Sequence, residues 1–285
     1  MSKEIQISFV ILSWNSERFL EKCFDSIIAK CKAEALPIEI FLIDNGSSDG
    51  SREIVDQFEE RYPEIIKKIY LDKNMGTTYP RNLGSKQAKG KYICILDSDT
   101  ELLEGTFKEL FDIFDNNEDI GMIVCQLILR DRSIQVSVKK FPAFIQKLSK
   151  LSTIFLGRNS VSGYYTDFPF ESKREVDTAI SAFWLYRREL HDSVGYLDES
   201  IFYSPEDLDY CVRIWKAGYR ILYNPNFKVF HDTQQISHKS PFSRIAFSHF
   251  MGLIYYYRKH GGWFSASNKY RKTDKELTSR NTDIS

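Results

Sequence analysis

The stretch IEIFLIDNGSSDG, Ile38 to Gly50, decides the fold. Ile38 to Ile43 is an apolar run of strand length, and Asp44 closes it. Asn45 to Gly50 then reads as a strand-to-helix turn, with a glycine for positive φ and Ser48 or Asp49 as the helix N-cap. Working outward, the alternation repeats: strands over 5–13, 66–71 and 92–97, and amphipathic helices over 17–30, 50–60 and 80–88. Strands alternating with helices make an α/β fold, a mostly parallel sheet flanked by helices. Ligands of such sheets bind outside the carboxyl ends of the strands, where this sequence places Trp14, Asn15, Asp44, Lys73, Asn74 and Asp97.

Beyond residue 100 the pattern gives a helix over 105–115, a strand over 120–129, and an irregular acceptor-side segment over 131–175 punctuated by Pro142, Gly157, Gly163 and Pro169. Regularity returns over 177–187. A helix follows from Glu206 to Ala217, stopped by Gly218, and then strands over 221–223 and 228–231. The expected organisation is a catalytic domain over 1–235, with a nucleotide-binding half (1–100) and an acceptor half (101–235). An aromatic helix over 236–264 and a disordered polar tail over 265–285 complete it.

Composition excludes several classes. Lys plus Arg (39) equals Asp plus Glu (39), so no overall field favours nucleic acid. Five cysteines without a CxxC pair indicate reduced, buried thiols and a cytoplasmic setting. The first residues do not form a cleavable signal, and no apolar run reaches 18 residues, so the Asn45-Gly46-Ser47 sequon reads as accidental. Gly84 and Gly90-Lys91 imitate a phosphate loop, but five residues separate the glycines and Tyr92 stands where Ser or Thr is needed. No GxGxxG follows any strand, which argues against a dinucleotide enzyme.

Three acidic groupings remain. Asp97, Ser98 and Asp99 emerge from a strand end, and an Asp-x-Asp turn can hold Mn²⁺ or Mg²⁺ while leaving positions open for phosphate oxygens. Asp44 is placed to accept from a base or ribose. Glu206, Asp207 and Asp209 put three acids into four positions at a helix start, more than capping needs, so one of them can act as general base toward an acceptor hydroxyl. His231, ending the last strand, is a candidate third metal ligand.

Together these segments resemble glycosyltransferase family 2, the GT-A fold enzymes, and most closely its bacterial rhamnosyltransferase-like members. The matching pieces lie between Ile7 and His231: Val10 to Asn15, Ile43 to Gly50, Asn74-Met75-Gly76 through Arg81-Asn82-Leu83-Gly84, Leu96 to Asp99, and Glu206 to Asp209 through Gly218-Tyr219. The resemblance implies a metal-dependent, inverting transfer of a sugar from a UDP- or dTDP-linked donor to a glycan or lipid-linked acceptor in surface polysaccharide assembly. It implies Asp44 on the base, Asp97 toward the ribose, Asp99 and His231 at the metal, and Asp207 as catalytic base. The expected donor contacts are Ser13, Trp14, Asn15, Asp44, Asn45, Asn74, Gly76, Arg81, Asn82, Asp97 and Ser98; those of the acceptor are Ala182, Phe183, Trp184 and Glu206. Thr77-Thr78-Tyr79-Pro80 and Ser204-Pro205 depart from the family pattern.

Two other readings compete with this one. A catalytically silent glycan- or nucleotide-binding module on the same fold is opposed by the retained acids. A nucleotidyltransferase would need a glycine-rich loop where this chain has Ser13-Trp14-Asn15-Ser16-Glu17. Finally, Phe247, Phe250, Met251, Ile254, Tyr255 and Arg258 recur at helical spacing within 242–264. They form either a core-packing stripe or a face lying on a membrane surface.

Overall fold

The computed structural model describes residues 4–143, 170–232 and 244–263, with side chains from 248 onward in the last segment. The tail over 265–285, most of the irregular 131–175 segment, and Phe242 and the Phe247 side chain lie outside the described residues.

The nucleotide half is built as the alternation requires: β1 (Ile7–Ser13), α1 (Glu17–Ala33), β2 (Ile38–Asp44), α2 (Ser51–Arg61), β3 (Ile66–Tyr70), α3 (Thr78–Gln87) and β4 (Tyr92–Asp97). The strands β3-β2-β1-β4 are parallel neighbours, with Ser13 level with Asp44 and Leu12 level with Asp97. That register brings the polar ends of three strands to one edge. β2 is buried along its whole length, whereas the outermost strand β3 carries Lys67 and Lys68, charges that discourage pairing at an open edge.

The second half comprises β5 (Thr100–Leu102), α4 (Phe107–Asn116), β6 (Ile120–Ile128), β7 (Ile134–Gln135), β8 (Val138–Lys139), β9 (Arg174–Glu175), β10 (Thr178–Ala179), β11 (Phe183–Arg187), α5 (Leu190–Ser193), α6 (Glu206–Lys216), β12 (Arg220–His231) and α7 (Arg244–His260). The sheet continues β4-β11-β6-β12-β5, with β11 antiparallel to both neighbours and β12 parallel to β6. β8 and β10 form a separate two-stranded ribbon.

Side chains alternate between two cores, as strand geometry demands. Cys94, Leu96, Phe183 and Leu185 face the core under α1, α2 and α4 with Leu20, Phe24 and Phe107; Ile93, Ile95, Trp184 and Tyr186 face the other with Tyr210, Tyr256 and Tyr257. Gly84 fits α3 closely onto the sheet, since a Cβ there would stand 2.8 Å from Val10 Cγ1. The apparent phosphate-loop glycine is therefore a packing residue.

Several expected boundaries change. The runs 221–223 and 228–231 are one strand, β12, whose register shifts between Asn224 and Lys228. The intervening Asn224-Pro225-Asn226 forms a bulge, where a proline costs no ladder bond. The 177–187 run divides into β10 and β11. α3 begins at Thr78, so Pro80 sits in the first turn, where its missing N–H has no helical acceptor. Gly50 occupies the cap position of α2, while the Asp49 carboxylate accepts from Ser51 N at 3.2 Å.

Candidate active site

The site grows from the strand ends. At β1, Ser13 is buried with an Oγ that has no partner among the described residues, and Trp14 stands half-exposed at the rim. Asn15, with φ of +51°, donates its N–H to Ser47 Oγ at 2.9 Å, and its Oδ1 accepts from Ser48 N at 2.9 Å. It thus ties the β1 and β2 loops together. Asp44 is wholly buried; its Oδ1 accepts from Arg52 Nε (2.7 Å) and Ser47 N (3.1 Å), while Oδ2 has no partner among the described residues. An orphan carboxylate oxygen and an orphan hydroxyl on neighbouring, in-register strand ends are what a polar ligand at this edge would complete.

The Asp97-Ser98-Asp99 turn is shaped by its neighbours. Thr100 Oγ1 donates to Asp97 O at 2.7 Å, and β5 then folds back antiparallel to β12, setting His231 opposite Thr100. The imidazole reaches Asp99 Oδ1 at 3.5 Å and Asp97 Oδ2 at 4.0 Å through Nε2, and its Nδ1 lies 2.8 Å from Gln135 Oε1. With Gln135 oriented as an acceptor, Nδ1 carries the proton and Nε2 keeps its lone pair. Among the described residues, Asp97, Asp99 and His231 form a group whose ligand atoms lie within 4.8 Å of one another. Carboxylate oxygens with one imidazole suit Mn²⁺ or Mg²⁺, with Mn²⁺ better matched to the nitrogen. Burial and the nearby Asp97 raise the Asp99 pKa, the expected result of crowding acids where a cation belongs.

Arg81 joins this cluster to the second acidic group. Its guanidinium is almost fully buried and donates to Asp97 Oδ1 (2.6 Å), Ser181 Oγ (2.8 Å) and Glu206 Oε1 (3.3 Å). Asp97 is thereby turned with Oδ2 toward His231. Glu206 also accepts from Ser181 Oγ at 3.0 Å, and burial and Asp207 push its carboxyl up to about 7 against the opposing pull of Arg81. Asp207, half-buried beside it, accepts from Leu208 N through Oδ1 at 2.8 Å. Burial opposes the charge of Asp209, yet His260, Arg213 and Lys259 hold it well below the usual carboxylate range, which removes it as an alternative base.

The Glu206 shift makes stability pH-dependent. The folded state binds the proton more tightly than the unfolded chain, so this group's contribution is present below about pH 4.5 and is lost as pH rises through about 7. Glu206→Gln, which keeps the shape without the charge, is expected to match the parent near pH 4.5. By pH 8 in chelator it should exceed the parent by on the order of 1–3 kcal/mol. Urea midpoints at the two pH values check this, and a difference independent of pH would refute the assignment.

Several sequence-selected residues have structural tasks. Asn45 donates to Gly76 O (2.8 Å) and Asn74 Oδ1 (3.2 Å) and accepts from Met75 N (2.8 Å), so its amide is spent on shaping the 74–76 loop, and the buried sequon is closed to glycosylation. Asn74 Oδ1 accepts from Gly76 N at 2.9 Å. Gly76, with φ of +83°, gives way to the Phe202 carbonyl, which a Cβ would meet at 2.0 Å. Asn82 exchanges hydrogen bonds with the Leu197 backbone, and Ser98 Oγ pairs with Ser16 Oγ at 2.7 Å.

The acceptor assignment is corrected for two residues, Phe183 and Trp184, which are buried in opposite cores; Ala182, beside them, offers its carbonyl to Asp97 N at 3.2 Å. On a strand covered on both faces, neither side chain can reach a ligand. Sequence reading missed Arg52, Gln135 and Ser181. Arg52 lies in the first turn of α2, directly after Asp44's loop, and was accessible to charge pairing, but Gln135 and Ser181 reach the site only through tertiary pairing.

Residues 8–195 match the family described as Glycosyl transferase family 2. An uncharacterized glycosyltransferase of Nostoc sp. is 29% identical over 119 residues, 42% of this chain and 36% of that protein. The N-acetylglucosaminyl-diphospho-decaprenol L-rhamnosyltransferase of Mycobacterium tuberculosis is 26% identical over 242 residues, covering 81% of this chain and 78% of the relative. The first of these matches thus spans only about a third of its relative. Among solved structures, GalNAc-T7 with UDP, GalNAc and Mn²⁺ aligns with a TM-score of 0.63 at 16% identity, over 99% of this chain and 55% of that one, a likeness of fold.

Proposed function

The chain belongs to glycosyltransferase family 2, and from that premise we propose that it transfers one sugar from a UDP- or dTDP-linked donor to an acceptor hydroxyl, with inversion, in surface polysaccharide or glycan assembly. The observation that carries this reading is Arg81, which holds an acid of the Asp97–Asp99–His231 cluster and an acid of the Glu206–Asp207 pair from one buried guanidinium.

In this reading the unsatisfied Asp44 Oδ2 and Ser13 Oγ receive the base or ribose, Asn15 shapes the mouth of that pocket, and Trp14 lines its rim. Asp97, Asp99 and His231 would hold Mn²⁺ or Mg²⁺, which would supply charge neutralisation for the diphosphate. Asp207 takes the proton of the acceptor hydroxyl as it attacks the anomeric carbon. Glu206, about half protonated at pH 7, stands beside Asp207 and in its protonated form can donate to the acceptor. A lipid-linked acceptor is supported by the mycobacterial relative's name.

A panel of UDP- and dTDP-sugars, each with Mn²⁺, Mg²⁺ or chelator, tests the donor. The true donor at a hundredfold its Kd should add about 2.7 kcal/mol and raise the Tm by several degrees only with metal. No shift with any member would overturn the proposal.

Membrane-surface contact through 242–264 is the second element. No described helix is long and apolar enough to cross a bilayer, but α7 exposes Phe250 (44%), Met251 (48%) and Tyr255 (36%) while burying Tyr256 and Tyr257. From residue 248 on, the helix is therefore packed on one side and exposes apolar residues beside Arg258 and Lys259 on the other, as an interfacial helix would. The protein should float with anionic liposomes at low salt, and Phe250→Ser/Met251→Ser should not; a parent that stays in solution ends this reading.

A further inference from the structure

α6 presents Glu206 and Asp207 in its first turn without a side-chain N-cap, since Pro205 fills the cap position. Something else must fix that turn. α7 touches it on both sides. Before the turn, Gly252 lies so close to the 204–205 backbone that a Cβ would stand 2.2 Å from Ser204 O and 3.1 Å from Pro205 Cδ. After the turn, the buried Asp209 carboxylate accepts from Lys259 Nζ (2.8 Å), His260 Nε2 (2.7 Å) and Arg213 Nε (2.8 Å). Arg213 belongs to α6 itself, so the two donors from outside the helix both come from the last turn of α7.

The same lysine continues the chain of contacts. Lys259 Nζ also pairs with Asp198 at 2.5 Å, and Tyr255 donates to Asp198 at 2.8 Å. The segment after Asp198 is held to the start of α3: Thr78 Oγ1 donates to Ile201 O (2.7 Å), Thr77 N to Phe202 O (2.7 Å), and Asn82 Nδ2 to Glu199 Oε1 (2.8 Å). α3 carries Arg81, the residue that bridges to Glu206 and Asp97.

We propose that Asp209, Lys259 and Gly252 are positioning residues: α7 clamps the 198–209 segment against α3 and so sets where the Asp207 carboxylate stands relative to the metal cluster. The inference rests on the transferase reading for its catalytic consequence, but its mechanical part is independent of it. None of the three residues touches a ligand in this scheme. An error of about 1 Å in a reacting group can cost about a hundredfold in rate, so a loosened clamp should be visible in turnover before it is visible in binding.

The experiment uses the full chain and the variants Asp209→Asn, Lys259→Met, Lys259→Arg and Gly252→Ala. Hydrogen exchange of the amides of Ser204 and of 206–209 decides the clamp, Pro205 having none. The first, second and fourth variants should exchange at least about tenfold faster there, with sheet amides unchanged, and Lys259→Arg should stay within about threefold of the parent. Release of nucleotide diphosphate from the UDP- and dTDP-sugar panel decides the consequence: kcat should fall about ten- to a hundredfold with donor KM within about twofold, and Lys259→Arg should restore it. Unchanged exchange at 204–209 in folded Asp209→Asn and Gly252→Ala overturns the clamp. Faster exchange with unchanged kcat overturns its positioning role. A parent that turns over no donor defeats the transferase reading instead, while the exchange result still decides the clamp.

Discussion

Asp207→Asn is expected to lower transfer by about two to four decades while donor affinity stays within about threefold. The amide keeps the volume of the carboxylate and, through its carbonyl oxygen, the hydrogen bond that Oδ1 accepts from Leu208 N. What it lacks is basicity. The neighbours are poor substitutes for distinct physical reasons. Asp209 is committed to Arg213, Lys259 and His260 in a buried ion cluster. Glu206 lies beside the site but binds its proton up to about pH 7, and its Oε1 is occupied by Arg81 and Ser181. The remaining activity of the variant is therefore informative. If it is small and independent of pH, Asp207 is the base. Activity that climbs steeply between pH 6 and 8 to near the parental level would move the role to Glu206. Steady-state transfer across that range, with calorimetry of donor binding at one pH, separates the two.

Asp99→Ala should raise the Kd for nucleotide sugar in Mn²⁺ by at least about a hundredfold. Replacing partners that merely orient metal ligands already costs ten- to a hundredfold, and loss of a ligand should cost no less. The structure explains why nothing compensates. His231 Nε2 would be left with Asp97 at 4.0 Å, and the other oxygen of Asp97 is held by Arg81 at 2.6 Å, so the carboxylate is not free to swing across. Asp99→Ala should also remove the metal dependence itself, leaving weak binding that chelator does not change. Isothermal titration of the parent and variant with UDP, in Mn²⁺ and in chelator, reads both effects. Metal-dependent binding at parental strength would show that the cation is held elsewhere.

The sequence by itself determined the parallel sheet and the edge at which its ligands bind, because hydrophobic period and strand-end acids are local properties. A run such as Ile38 to Ile43 reads as a buried strand, and the acid that ends it, Asp44, lies at the carboxyl edge whatever its neighbours are. The same logic delivered Asp97, Asp99 and the acidic start of α6. Contacts that depend on pairing were not legible, although His231 is a candidate metal ligand already from its place at the end of the last strand. His231 meets Asp99 because β5, a three-residue strand without a periodic signature, folds back on β12, and Gln135 orients the imidazole from another short strand. Asn45, Asn82 and Ser98 are donor contacts by sequence; in the fold their polar atoms also hydrogen-bond to segments distant in sequence. Phe183 and Trp184 are acceptor contacts by sequence, but β11 inserts antiparallel between β4 and β6 and both of its faces are buried. Which atoms remain free for a ligand is settled only after every internal hydrogen bond and contact has been made. Those are set by register and packing between segments up to a hundred or more residues apart, as with Arg81 and Glu206, separated by 125.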